Sequence, residues 1–164
     1  LKHADRVASA SLAQLVNVIA PIMTEPGGIA WRQSTFYPFS ITSRLARGEA
    51  LRLKLDAPTY LTEAYGEVPL VDAVATHDAD SGRSAVFLVN RSTTEAIEVT
   101  VDVSALGKVS LLETHTLSDT DVYAKNTLED PERVAPRAND TAAIADGVLT
   151  VSLPPVSWSA IALG

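Results

Sequence analysis

At Gly48 the sequence changes its period, and no single layer of structure accommodates both halves. Before it, Val7, Ala8, Ser11, Leu12, Leu15 and Val16 recur at spacings of three and four, the stripe of one helix face over about residues 2–15. After it come short Val- and Thr-rich runs, and Glu98-Val-Thr-Val-Asp-Val103 and Leu149-Thr-Val-Ser-Leu153 alternate with period two. Alternation of that kind gives each strand one buried and one wet face. Gly48 itself suits the position just past a helix end. Charge divides at the same point. Residues 1–48 hold five basic and two acidic side chains, a net of +3, so with −7 overall the remainder carries −10.

The first part predicts helix, strand, loop, helix. Asp5 suits the start of the helix over 2–15. Val16-Asn-Val-Ile-Ala-Pro-Ile-Met23 is a short continuous apolar run, as expected of a strand covered on both faces in a parallel sheet, with Pro21 at an edge, bulge or end. Glu25-Pro-Gly-Gly28 is a loop signal. Ser34 or Thr35 is placed to cap a second helix from Phe36 to Arg47. This is one and a half units of an α/β architecture.

The second part predicts strands over 50–56, 69–77, 84–90, 96–103, 109–116, 147–153 and 158–163, with a hairpin turn at Asp78-Ala-Asp-Ser-Gly82. Residues 118–139 are polar and proline-bearing, a long ordered loop. Turns every ten or so residues imply a sandwich or jelly roll.

The acidic balance gives no general attraction to nucleic acid or to anionic lipid. No apolar run approaches the roughly 20 residues that span a bilayer. There are no cysteines, which excludes disulfides, thiolate metal sites and a cysteine nucleophile and fits a cytoplasmic setting. Leu1–Val7 carries no apolar signal region, and a helical pattern already running at residue 1 suggests a truncated chain.

Candidate chemistry is sparse. His3, His77 and His115 lack paired ligand spacing, so no metal is expected. Pro26-Gly-Gly28 lacks both phosphate-loop and dinucleotide patterns, and no cofactor is implied. No Gly-x-Ser-x-Gly occurs. Glu63 with Glu67, and Glu129 with Asp130 and Glu132, lie in polar sequence beside turn formers and read as solvated faces; Glu25 follows the expected strand and reads as a loop residue first. In Trp31-Arg-Gln33, an aromatic face can stack on a sugar and an amide can bond hydroxyls. The structural alternative packs Trp31 on the neighbouring helix and gives Arg32 an ion pair.

Lys2-His-Ala-Asp-Arg-Val7, Ala13-Gln-Leu-Val-Asn-Val-Ile-Ala-Pro-Ile22, Trp31-Arg-Gln33 and Phe36-Tyr-Pro-Phe39 resemble the intracellular-type α-L-arabinofuranosidases of glycoside hydrolase family 51. Val68-Pro-Leu-Val-Asp-Ala-Val-Ala75, Val89-Asn-Arg91, Asn126-Thr-Leu-Glu-Asp-Pro-Glu-Arg-Val-Ala-Pro136 and Leu153-Pro-Pro-Val-Ser-Trp158 follow in the same order. Ser159 stands where the family commonly has Asn. The resemblance implies a mainly β chain, with a C-terminal jelly-roll-type β-sandwich (residues 49–164) preceded by the last helix, strand and helix of a (β/α)₈ barrel (residues 1–48). It implies a retaining, exo-acting enzyme that releases terminal arabinofuranosyl groups from arabinan and arabinoxylan oligosaccharides through two glutamates. Both glutamates belong to earlier barrel strands, so no catalytic residue is expected here and the chain alone is expected to be inactive. Gln33 resembles the family's substrate-binding glutamine, with Trp31 walling the same pocket. Expected partners are the rest of the barrel, which residues 1–48 need in order to be ordered, and further copies, hexamers being usual in the family. The family also includes endoglucanase activity. The competing expectation is a non-catalytic assembly or carbohydrate-binding module, for which nine aromatic residues leave few for a binding platform.

Overall fold

A computed structural model describes residues 1–164. The chain is mainly β. A five-stranded antiparallel sheet has the order β3 (Glu49–Leu51), β6 (Val71–Asp78), β7 (Arg83–Asn90), β12 (Ser157–Leu163), β9 (Leu111–Leu117). A three-stranded sheet has the order β10 (Ala143–Ala145), β11 (Val148–Leu153), β8 (Ile97–Asp102). Two hairpins stand apart: β1 (Ile22–Thr24) with β2 (Ala30–Arg32), and β4 (Thr59–Thr62) with β5 (Gly66–Pro69).

The sheets share one apolar core. Val71, Ala75, Val86, Leu88, Ile161 and Leu163 from the larger sheet meet Leu149, Val151 and Leu153 from the smaller. In β8 and β11 burial alternates residue by residue, as the period-two pattern requires. Strand β7 is different: Val86 and Leu88 enter that core, while Ala85 and Phe87 point the other way. There they meet Ile41 of the only α-helix, α1 (Phe36–Leu45), with Ala160 of β12 beneath and Trp158 stacked on Phe87 at 6.4 Å. The helix therefore covers the outer face of the larger sheet, which explains why β7 reads as a continuous apolar run.

Gly48 links helix to sheet. Its φ is +72°, and a Cβ there would lie 2.1 Å from the His77 carbonyl oxygen, so only glycine lets the chain turn against β6. The turn at Asp78–Gly82 forms as expected, with Ser81 Oγ donating to the Asp78 carboxylate at 2.6 Å.

Several expectations are corrected. No helix forms over residues 2–15: one turn closes where Val7 N donates to His3 O, and the rest lacks regular structure. A helix of that length is marginal unless its apolar face is buried, and Leu12 and Leu15 find no cover, Leu15 being 79% exposed. No parallel strand forms over 16–23. Only Ile22–Thr24 is extended, and it pairs antiparallel with β2. Asn17 and Val18 instead take left-handed backbone (φ 61° and 56°), and Asn17 clamps the turn by accepting from Thr24 N and donating to Thr24 Oγ1. Thr35 precedes α1 without capping it; Phe36 N donates to the Gln33 carbonyl. The strand expected over 50–56 ends at Leu51, and the β4–β5 hairpin and β10 were not anticipated. No helix is long and apolar enough to cross a membrane.

Candidate functional site at the Trp31–Gln33 edge

Trp31 and Gln33 lie on and just after β2, on alternate positions of an extended segment. That spacing puts both side chains on one side, toward the long loop 118–139. Both donate to the same atom: Trp31 Nε1 reaches the Asn126 carbonyl oxygen at 3.3 Å and Gln33 Nε2 reaches it at 3.1 Å. A carbonyl oxygen has two lone pairs, so these two donors saturate it.

Asn126 is itself held hard. It is 2% exposed. Its side-chain Nδ2 donates to the Arg32 carbonyl at 2.7 Å and the Val134 carbonyl at 3.1 Å, and its Oδ1 accepts from Val134 N at 2.7 Å. One loop residue thus grips three consecutive residues of the β2 edge. Arg32 makes no ion pair; its guanidinium lies 5.0 Å from the centre of the Phe36 ring. Trp31 borders a cavity of about 430 Å³ together with Ile22, Arg32, Tyr37, Pro131 and Glu132. The ion pair expected for Arg32 in the structural alternative is thereby corrected, since its guanidinium lies over an aromatic ring, and the Trp31 indole is anchored by a loop carbonyl.

Gln33 keeps chemical capacity. Its amide nitrogen must face Asn126, because a carbonyl only accepts. Its Oε1 has no partner in the chain and the residue is half-buried, so an acceptor remains available beside an aromatic wall.

The other candidates do not converge. Glu63 sits in the β4–β5 turn, Glu67 in β5, and Glu129, Asp130 and Glu132 along the long loop. Glu25 makes only main-chain bonds within the turn that joins β1 to β2, its N donating to the Ile29 carbonyl and its carbonyl accepting from Gly28 N. His3, His77 and His115 occupy separate places, His77 on Ser84 Oγ and His115 on Glu113. No cluster of His, Cys, Asp or Glu is arranged to hold a metal ion. The most exposed aromatics, Tyr65 and Tyr123, lie in a turn and in the long loop, not as a platform on a sheet face.

Three asparagines, Asn90 and Asn126 buried and Asn139 partly so, escaped sequence reasoning as organising residues. Asn126 is one. Asn90 donates to the carbonyls of Glu95, Leu153 and Pro154. Asn139 donates to Thr116 Oγ1 and the Ser152 carbonyl, and Thr116 Oγ1 in turn bonds Ser159 Oγ at 2.7 Å. Asn90 and Asn126 both fall in the stretches that carried the family resemblance, the one signal that pointed to them.

Fold and edge define a class: an antiparallel β-sandwich module with one helix on its outer sheet and an aromatic–amide pair at one margin. The family model described as the alpha-L-arabinofuranosidase C-terminal domain matches residues 1–157. An intracellular exo-alpha-(1->5)-L-arabinofuranosidase of Streptomyces lividans is 52% identical over 98% of this chain and 24% of its own length. An exo-alpha-(1->6)-L-arabinofuranosidase of Bifidobacterium longum is also 52% identical, over 98% of this chain and 31% of its own. The solved structure of AbfB, a family 51 alpha-L-arabinofuranosidase from Bifidobacterium longum, superposes with a TM-score of 0.94 at 46% identity, covering all of this chain and 32% of that one. The chain belongs to the alpha-L-arabinofuranosidase C-terminal domain family. It spans a quarter to a third of the length of these relatives.

Proposed function

We propose that residues 1–164 are the C-terminal portion of a retaining, exo-acting α-L-arabinofuranosidase that releases terminal arabinofuranosyl groups from arabinan and arabinoxylan oligosaccharides. Residues 1–48 complete a (β/α)₈ barrel whose other strands lie outside this chain, and residues 49–164 form a jelly-roll-type sandwich. In this account the helix over 2–15 and the strand over 16–23 take shape only against barrel neighbours. Exposed Leu15, Val18 and Ile19 are the apolar side chains those neighbours would cover. Relatives named intracellular support a cytoplasmic setting. Relatives named for both (1->5) and (1->6) linkages support a substrate class defined by the terminal furanosyl group. The intact protein is taken to be a homo-oligomer, with a hexamer as the leading arrangement.

The observation that carries the functional assignment is that Trp31, which borders a cavity, and a half-buried Gln33 whose amide oxygen is unpartnered are held by one and the same carbonyl oxygen. Such a pair can wall a furanose ring and accept from one of its hydroxyls, so that the ring is held toward the nucleophile. The two catalytic carboxylates are assigned to the missing barrel strands. They would stand about 5–5.5 Å apart, as retention requires. The test is hydrolysis of a nitrophenyl α-L-arabinofuranoside by the 164-residue chain and by the chain joined to its upstream sequence. Activity in the longer product alone is expected. Turnover by the 164-residue chain itself would overturn the assignment of the carboxylates.

A further inference from the structure

We infer that Asn126, a residue of the sandwich loop, is a positioning residue that presents the Gln33 amide to the substrate. The inference rests on the sugar-contact role proposed for Gln33. Free in solution, a glutamine amide turns about its last bond and offers oxygen or nitrogen alike. Here the Asn126 carbonyl removes that choice. It accepts from Gln33 Nε2 at 3.1 Å, so the amide oxygen is turned away and left to accept from a hydroxyl. The same carbonyl takes the Trp31 indole at 3.3 Å, which fixes the aromatic wall relative to the amide. The carbonyl is held in turn by the Asn126 side chain, whose bonds to Arg32 and Val134 tie the loop to the β2 edge. Asn126 stands 93 residues from Gln33 in the chain and is buried, so it orients the contact without touching the sugar.

Asn126→Asp is nearly isosteric but has no amide hydrogens for the Arg32 and Val134 carbonyls. In the full-length protein acting on a nitrophenyl α-L-arabinofuranoside, kcat/KM per folded molecule is expected to fall by about 10-fold or more. In a Gln33→Ala background the same substitution should change kcat/KM by less than about 3-fold, because the group it positions is gone. A loss of Tm with kcat/KM kept, or equal losses in the two backgrounds, would overturn the inference while leaving Gln33's role intact. No effect of Gln33→Ala alone would remove the sugar contact and the inference with it.

Gln33→Glu supplies a readout independent of whether Asn126→Asp folds. Its ionised carboxylate has no hydrogen for the Asn126 carbonyl, whereas the protonated acid does. The wild-type to Gln33→Glu ratio of kcat/KM is therefore expected to shrink several-fold as pH falls from 7 toward the glutamate range near ~4.3. A ratio constant with pH counts against the proposal.

Discussion

Gly48 illustrates how much one residue decides. It combines a left-handed backbone with a main-chain oxygen where its Cβ would be. Gly48→Ala should destabilise the chain by about 3 kcal/mol, from left-handed strain of ~1–2 kcal/mol and the backbone shift that relieves the overlap. Urea unfolding of the two proteins measures it. Thr76 is the converse. Its Oγ1 is buried without a hydrogen-bond partner, and the residue is 3% exposed. Thr76→Val removes an unsatisfied hydroxyl at nearly constant shape, so stability should hold or rise by up to ~1 kcal/mol, read from the same titrations. Gly48 was legible from the change of period around it. The roles of Asn90, Asn126 and Asn139 were not, because an asparagine in polar sequence looks alike whether it is solvated or buried among carbonyls. Asn126's partners include residues more than 90 positions away.

At the scale of elements, α1 is held to the sheet by more than its apolar face. Arg44 in its last turn makes two bonds to the Glu113 carboxylate on the edge strand β9, at 2.6 and 2.9 Å, and His115 adds a third contact at 2.7 Å. The Arg44 hydrogen bond, aided by His115, holds the Glu113 carboxyl down at about 2 from an ordinary 4.5. A lowered carboxyl pKa stabilises the fold above the unfolded value and loses that contribution as pH falls through the folded one. The Arg44–Glu113 contribution should thus be complete above about pH 5 and fade between roughly pH 4.5 and 2. Both side chains are partly solvated, so Arg44→Ala should cost about 1 kcal/mol at pH 7 and much less near pH 2. Thermal melts of both proteins across that range would show it; an equal difference at every pH would refute it. The strands were largely legible because alternation reports a half-buried sheet directly. The β4–β5 hairpin was missed although Gly66 closes a short turn after the Thr- and Tyr-bearing run Thr59-Tyr-Leu-Thr62. The helix over 2–15 failed for another reason: periodicity says which face would be buried, not whether anything buries it.

For the whole molecule, the sandwich and α1 form one packed body, while residues 1–16 are exposed throughout and Lys2 bonds Asp72. Among residues 17–21, Asn17 bonds Thr24, Ala20 is buried and the Pro21 carbonyl accepts from Gln33 N. Limited proteolysis of the 164-residue chain should cut first within residues 1–21 and leave the sandwich whole, with the same bonds protected in the full-length protein. Protection of residues 1–21 in the short chain would contradict the proposed barrel neighbours. Loop 118–139 grips Trp31 and Gln33, so under the proposed function the sandwich supports the margin of the sugar site from behind. By itself the sequence determined the mainly β class and the family, since these depend on local period and on ordered stretches along the chain. Only the tertiary structure decided that α1 covers the larger sheet and that the Asn126 carbonyl accepts from both Trp31 and Gln33. Those contacts join residues remote in sequence, and their energies exist only once the chain has brought the partners within bonding distance.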